Sequence, residues 1–288
     1  MIKKIKQNNN YEKIGPTAWG VAYLRTLSDI KYAPEIFHEL EKSIKPTDPE
    51  GTKYLATVRT RMAPRFEARY KLADRLFEEN KTDQILEIAA GLSPRGMAMV
   101  EENPALRYVE VDLPAMAESK RKIIKGLNFN FENLHIENGD ALDFDSLRES
   151  TKYFEQKPIV VVSEGLMRYL NFDQKAVVAN NVRKLLEKFG GAWITPDITL
   201  KRVFASEEER EKNKRTVKEL SGIDVDENSF NNTEEGRKFF ENLGFKIEQH
   251  GFSEIADQLV SPEKIGLSPE EVQKIFKGYV VFVMRVRQ

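Results

Sequence analysis

From Gln84 onward the chain alternates short apolar runs with amphipathic stretches, and this alternation limits the fold more than any other feature. "QILEIAA", "LRYVEVDLP", "NLHIENGD", "PIVVVSEG" and "AWITPDI" are apolar without the two-residue alternation of a half-exposed sheet. Strands of that kind are buried on both faces, as happens when helices connect parallel neighbours. The intervening segments fit such helices. "AMAESKRKIIKGL" follows Pro114, which suits a first helical turn, and "DQKAVVANNVRKLLEKFGG" closes on glycines suited to a helix end. Later, "TEEGRKFFENLGFKIEQH" adds a helix and a strand, and "KGYVVFVMRV" adds a final strand. No good crossover helix separates these last two strands, so they are expected to pair antiparallel, joined by an excursion over residues 251 to 277. The expected class is α/β: a doubly wound, mostly parallel, seven-stranded Rossmann-like sheet with an antiparallel last strand.

Residues 17 to 80 read as helices. "TAWGVAYLRTLSDI" spaces Trp19, Ala22, Tyr23, Thr26 and Ile30 along one helical face, and "FEARYKLADRLFEEN" does the same with Phe66, Tyr70, Ala73 and Phe77. This predicts an N-terminal helical cap over residues 1–80 and a main domain over 81–288. The charge-dense "SEEEREKNKRTVKELSGI" interrupts the alternation at about 199–230. It is expected to form a helical lid over the carboxyl ends of the strands, where ligands bind in such sheets.

Lys+Arg 45 against Asp+Glu 46 gives a net charge of −1, so nucleic acid or an anionic membrane is not an expected partner. The basic run "SKRKIIK" reads as a solvated helix face. There is no cysteine, which excludes disulfides, thiolate metal sites and cysteine nucleophiles and accords with a reducing cytoplasm. "MIKKIKQNNN" lacks the apolar core of a secretory signal, and "IVVV" is far too short to span a bilayer. "DVDENSFNNTEE" approximates a calcium loop, with Asp224, Asp226, Asn228 and Glu235 as candidate ligands. Ser229 stands where the turn needs glycine, and Thr233 and Glu235 also read as a helix cap and first turn. No metal is expected.

The first strand runs into "EIAAGLSPRG", Glu87 to Gly96. A dinucleotide loop would read G-x-G-x-x-G, to let a pyrophosphate approach the backbone; here the positions are Ala89, Gly91 and Pro94. A P-loop is excluded because no G-K-[ST] follows. Asp112, Asp140 and Glu164 stand at the ends of the next three strands. Each alone can serve as a cap or a solvated turn residue. Together, beside one glycine loop, they suit a nucleoside without phosphates that carries hydroxyls, an amine and positive charge. S-adenosylmethionine (SAM) answers that description, and its own carboxylate calls for a cation such as Arg65 or Arg69.

"EIAAGLSPRG", "YVEVDLP" followed by Lys120, "NGDALDF" and "EGLMRYL" resemble, in order and spacing, the leucine carboxyl methyltransferase family. Within it the chain is most similar to the bacterial branch that includes the tetracenomycin carboxyl O-methyltransferase, whose N-terminal helix "TAWGVAYLRTL" also resembles. The resemblance implies a class I methyltransferase fold binding SAM, with S-adenosylhomocysteine (SAH) as product. It assigns the methionine carboxylate to Arg69 and the glycine-loop contacts to Ala89 and Gly91. Asp112 falls to the ribose, Asp140 and Ala141 to the adenine, and Glu164 to the neighbourhood of the methionine amine. Two departures weigh against the eukaryotic protein-carboxyl branch: "AAG" replaces "GAG", and a lysine expected near Ala22 is absent.

A carboxylate acceptor, with pKa near ~4, is ionised at pH 7 and needs no base, whereas a phenol near ~10 gains from one. His250 is the one candidate base, since His38 lies among the first helices and His135 within a strand. Arg168 and Tyr169 are the candidate acceptor contacts, with Arg168 able to pair with a carboxylate. The expected activity is SAM-dependent O-methylation of a carboxylate, or a hydroxyl, on a small molecule. The alternatives are a SAM-fold protein without turnover, a protein C-terminal carboxyl methyltransferase and a nucleotide-dependent oxidoreductase.

Overall fold

The computed structural model describes residues 15–43, 60–198, 200–201, 211 and 227–287. Seven strands form one sheet: β1 (Gln84–Ile88), β2 (Arg107–Asp112), β3 (Leu134–Asn138), β4 (Ile159–Ser163), β5 (Gly191–Thr195), β6 (Phe245–Gly251) and β7 (Val280–Val286). Their order is β3-β2-β1-β4-β5-β7-β6. The first five pair in parallel, and β7 runs antiparallel to both β5 and β6. The antiparallel final pair is therefore present, with the last strand inserted between β5 and the outer β6 rather than added at the edge.

The apolar runs bury both faces. Leu86, Ile88, Val109, Val111, Val161, Trp193 and Phe282 pack to one side with α7 (Phe172–Phe189) and α8 (Thr233–Asn242). Ile85, Tyr108, Val160, Val162, Ile194, Val281 and Val283 pack to the other, against α3 (Ala63–Glu79) and α10 (Pro269–Phe276). Alternate residues of one strand thus enter two separate cores, which accounts for the lack of polar alternation. The excursion before β7 holds a 3-10 segment (Phe252–Gln258), the short α9 (Ser261–Lys264) and α10.

Phe66, Tyr70, Ala73 and Phe77 are all buried on α3, as their spacing predicts. The first helix is shorter than its apolar spacing suggests. α1 (Gly15–Arg25) stops before Thr26 and Ile30, because the Thr26 and Ser28 hydroxyls donate to the carbonyls of Tyr23 and Arg25 at 2.7 and 2.6 Å. Such local side-chain bonds compete with helix continuation. α1 and α2 (Ala33–Ser43) pack over α5 (Pro114–Gly126) and the glycine loop through Ala22, Ile36, Leu40, Leu92 and Ile123. Most of the lid segment lies outside the described residues. At its base, Leu200 bridges to Phe230, and the Lys201 N–H donates to the Phe230 carbonyl at 2.8 Å.

Asp224 and Asp226 of the calcium-like loop also lie outside the described residues. The cap of α8 is Asn232, one residue before the expected Thr233: its side chain accepts from the Glu235 N–H, while the Glu235 carboxylate accepts from Asn231. Among the described residues no His, Cys, Asp or Glu cluster is arranged for a metal, and no helix is long and apolar enough to cross a membrane.

Gly191 starts β5 opposite Ile159 of β4 with φ of +102°. A Cβ there would sit 1.9 Å from the Ile159 carbonyl oxygen. Gly191→Ala is expected to cost more than about 2 kcal/mol, from backbone strain plus the clash, read as a lower midpoint in urea unfolding.

Candidate active site

The carboxyl end of β1 turns into the loop through two residues in the left-handed region, Ala89 (φ 54°) and Gly91 (φ 55°). This bend turns the Gly91 N–H toward β2, where it donates to Asp112 Oδ2 at 2.6 Å; Asp112 Oδ1 accepts from the Leu113 N–H at 2.7 Å. Burial raises the Asp112 pKa, against the pull of these two N–H groups. The flank of the loop is held by Lys120 of α5. It donates to the Ser93 carbonyl and pairs with Glu110, both charged groups being fully buried. At the end of β3, Asp140 Oδ1 accepts from the Leu142 N–H at 2.9 Å, and the Ala141 carbonyl accepts from Asn181 at 3.0 Å.

Glu164, just past β4, is the centre of a buried charge network. Its Oε1 accepts from Arg25 Nη2 and Arg69 Nε, each at 2.8 Å, and its Oε2 from Arg95 Nη2 at 2.9 Å. Burial would raise the Glu164 pKa, but Arg69, Arg25 and Arg95 together hold it well below the usual carboxylate range. Arg95 opens α4 (Arg95–Glu102) and reaches two further carboxylates, Glu87 at 2.7 Å and Asp74 at 2.6 Å. Tyr108 donates to the other oxygen of Glu87 at 2.7 Å, and the Arg95 guanidinium lies 4.1 Å from the Tyr70 ring centre. Arg25 also reaches the Leu92 carbonyl at 3.4 Å, joining α1 to the glycine loop.

The structure therefore brings Arg69 to Glu164 and Gly91 to Asp112, with Ala89 in the same turn and Asp140 and Ala141 one strand further out. Arg168 and Tyr169 follow Glu164 on a 3-10 turn, and Arg65 and Arg168 line a recess with Arg69. His250 stands apart on β6: Nδ1 lies 3.2 Å from Glu254 and Nε2 lies 3.3 Å from Glu248. His135 stacks on Tyr153 at 3.6 Å between ring centres.

Arg25, Asp74, Glu87, Arg95 and Asp197 belong to the site and were not singled out by sequence reasoning. Asp197 follows β5 and accepts from the N–H groups of Gly165, Leu166 and Met167, so it shapes the turn that carries Glu164. The strand-end rule that finds Asp112, Asp140 and Glu164, applied to "AWITPDI", would have found it.

A Rossmann-like sheet of this order, with a glycine turn after β1 and carboxylates at the ends of β2 to β4, defines the class I methyltransferase fold. The leucine carboxyl methyltransferase profile matches residues 24–183, more than half of the 288-residue chain, and the chain belongs to that family. A SAM-dependent methyltransferase from Anabaena variabilis shares 16% identity at a TM-score of 0.50, over 76% of this chain and 84% of that one. An O-methyltransferase family protein from Burkholderia thailandensis shares 13% identity, with a TM-score of 0.47 over 83% of this chain and 63% of that one. PigF, in complex with SAH, shares 14% identity, with a TM-score of 0.46 over 70% of this chain. The chain spans half the length of the PigF structure.

Two outcomes follow from the site's geometry. Ala89 holds a left-handed conformation that costs an L-residue roughly 1–2 kcal/mol, so Ala89→Gly is expected to raise the unfolding free energy by about 1 kcal/mol in urea titration. Burial, opposed by Arg95, pushes the Asp74 pKa up to about 7 in the folded protein, against about 3.9 when unfolded. The folded state then holds more protons than the unfolded one between those values, so the contribution of Asp74 to stability falls as pH rises from about 4 to about 7. Asp74→Asn is expected to flatten the loss of unfolding free energy between pH 5 and pH 8; an unchanged slope would exclude Asp74 as its source.

Proposed function

We propose that the protein is a SAM-dependent O-methyltransferase that esterifies a carboxylate of a small-molecule acceptor. The observation that carries this reading is the Gly91–Asp112 hydrogen bond beside the arginine-bound Glu164. A hydroxyl acceptor at the end of β2 and the guanidinium of Arg69, held by Glu164 after β4, thereby flank the glycine turn together. Each Asp112 oxygen accepts one N–H and retains a lone pair for a ribose hydroxyl. The family and fold independently support a methyltransferase.

In this reading Asp112 receives the ribose, and Ala89 and Gly91 give the close backbone approach. Asp140 and Ala141 flank the adenine. Arg69 receives the methionine carboxylate, since only its Nε is committed to Glu164 among the described residues. Glu164 fixes Arg69 in place and contributes negative charge near the methionine amine. When bound, SAM supplies an electrophilic methyl group on a sulfonium. The protein's task is then to align a carboxylate oxygen with it and to exclude water, which raises the rate without a base. The reading assigns no proton transfer to His250, whose ring nitrogens face Glu254 and Glu248. Arg168 and Tyr169 lie on the acceptor side. Among the described residues, α1 and α2 act as the cap over the glycine loop of the methyltransferase domain.

Isothermal titration with SAM and SAH, with NAD as the control, tests the reading; no heat from either sulfur ligand refutes it. Arg69→Ala and Asp112→Ala are each expected to weaken SAM and SAH by roughly 10- to 100-fold, the scale of a charge-assisted hydrogen bond. Methyl label transferred to an acid and released as methanol by alkali identifies an ester rather than an ether.

A further inference from the structure

On the β4–β5 side of the crevice, away from Asp112 and Asp140, lies a recess lined by Arg65, Arg69 and Arg168. Phe252, after β6, and Tyr279, before β7, form its apolar wall. One carboxylate, Asp197, shares the lining, and its oxygens already accept three backbone N–H groups. Arg69 is tied to Glu164, and the Arg65 guanidinium lies 3.8 Å from the Tyr279 ring centre. Arg168 lies 5.6 Å from the Tyr169 ring centre, forms no ion pair among the described residues, and its buried Nε lacks a hydrogen-bond partner.

Three guanidinium groups facing one small space repel each other, and an unpartnered buried N–H is costly. A carboxylate answers both features: its oxygens take the planar arginine fork in a recess of about 30 Å³, room for the carboxylate alone, and an apolar stem would lie at the mouth beside the aromatic wall. The geometry points to an anion subsite, formed by Arg65 and Arg168, that holds a second carboxylate of the acceptor, one that is not methylated. A carboxylate bound by arginines has its lone pairs engaged and its basicity lowered, which makes it the poorer nucleophile of the two. The substrate class is therefore an apolar dicarboxylic acid converted to its half-ester. The identity of the anion as an acceptor rests on the methyl-transfer reading above. The subsite itself is a property of these side chains.

The test uses 1,4-phenylenediacetate and its uncharged dimethyl ester as probes of the 288-residue protein, titrated calorimetrically at low salt without cofactor. The diacid is expected to bind at least about 10-fold more tightly than the diester. Arg168→Met should weaken the diacid about 10- to 100-fold, with Arg168→Lys recovering part of the loss. Equal binding of diacid and diester, or an Arg168→Met protein that binds the diacid like wild type, overturns the subsite. In turnover with SAM, the diacid should exceed phenylacetate in kcat/KM by at least about 10-fold, and Arg168→Met should lose that preference through KM. Arginine-dependent diacid binding by a protein that gives no heat with SAM or SAH supports the subsite and refutes the methyltransferase reading. Equal kcat/KM for mono- and diacid refutes the subsite and leaves that reading in place.

Discussion

The site depends on one carboxylate held by three guanidinium groups. Glu164 leaves β4 at the centre of the sheet, and its side chain is 2% exposed. Arg25 comes to it from the end of α1, Arg69 from the middle of α3 and Arg95 from the start of α4. Elements far apart in sequence therefore meet at one pair of oxygens. Withdrawing Glu164 would leave the buried Arg25 without its ion-pair partner among the described residues, a loss of about 3–5 kcal/mol for comparable pairs. The helices before the sheet are thus positioned by charge as well as by apolar contact. α1 also bonds the loop directly, through Arg25 and the Leu92 carbonyl.

The same device recurs beneath the loop. Glu87 and Glu110 are buried charges within otherwise apolar strands, and each is matched by a cation from the helix that follows its strand. Arg95 meets Glu87 and opens α4; Lys120 meets Glu110 and lies on α5. Buried pairs of this sort contribute little net stability, because desolvation offsets attraction, but they tolerate few alternative arrangements. Here they hold both helices that bracket the glycine turn. That rigidity explains how the turn keeps Ala89 in a conformation that glycine would adopt freely.

The sheet was legible in the sequence because doubly buried strands leave an unbroken apolar signature, and the strand-end carboxylates Asp112, Asp140 and Glu164 follow from strand placement. The order of the strands was less so: the insertion of β7 between β5 and β6 depends on long-range pairing that periodicity does not encode. Arg25 and Arg95 were hidden for a related reason. An arginine on a helix reads as solvated until its partner is known, and here the partners lie 139 and 69 residues away. The end of α1 was missed because two hydroxyls, Thr26 and Ser28, outcompete an apolar face that continues in sequence.

A net charge of −1 conceals how unevenly the charges are placed along the sheet's ligand edge. Toward β2 and β3 the strand ends present Asp112 and Asp140, acceptors suited to hydroxyl and amine groups. Toward β5 and β7 the lining turns to arginine, with Asp197 occupied by backbone N–H groups. Glu164 stands between the two halves and shares Arg69 with the cationic side. A ligand whose hydroxyls and amine lie at one end and whose carboxylate lies toward the middle would match both halves at once. The orientation of the bound molecule then follows from the order of charges along the edge, before any shape of the pocket is considered.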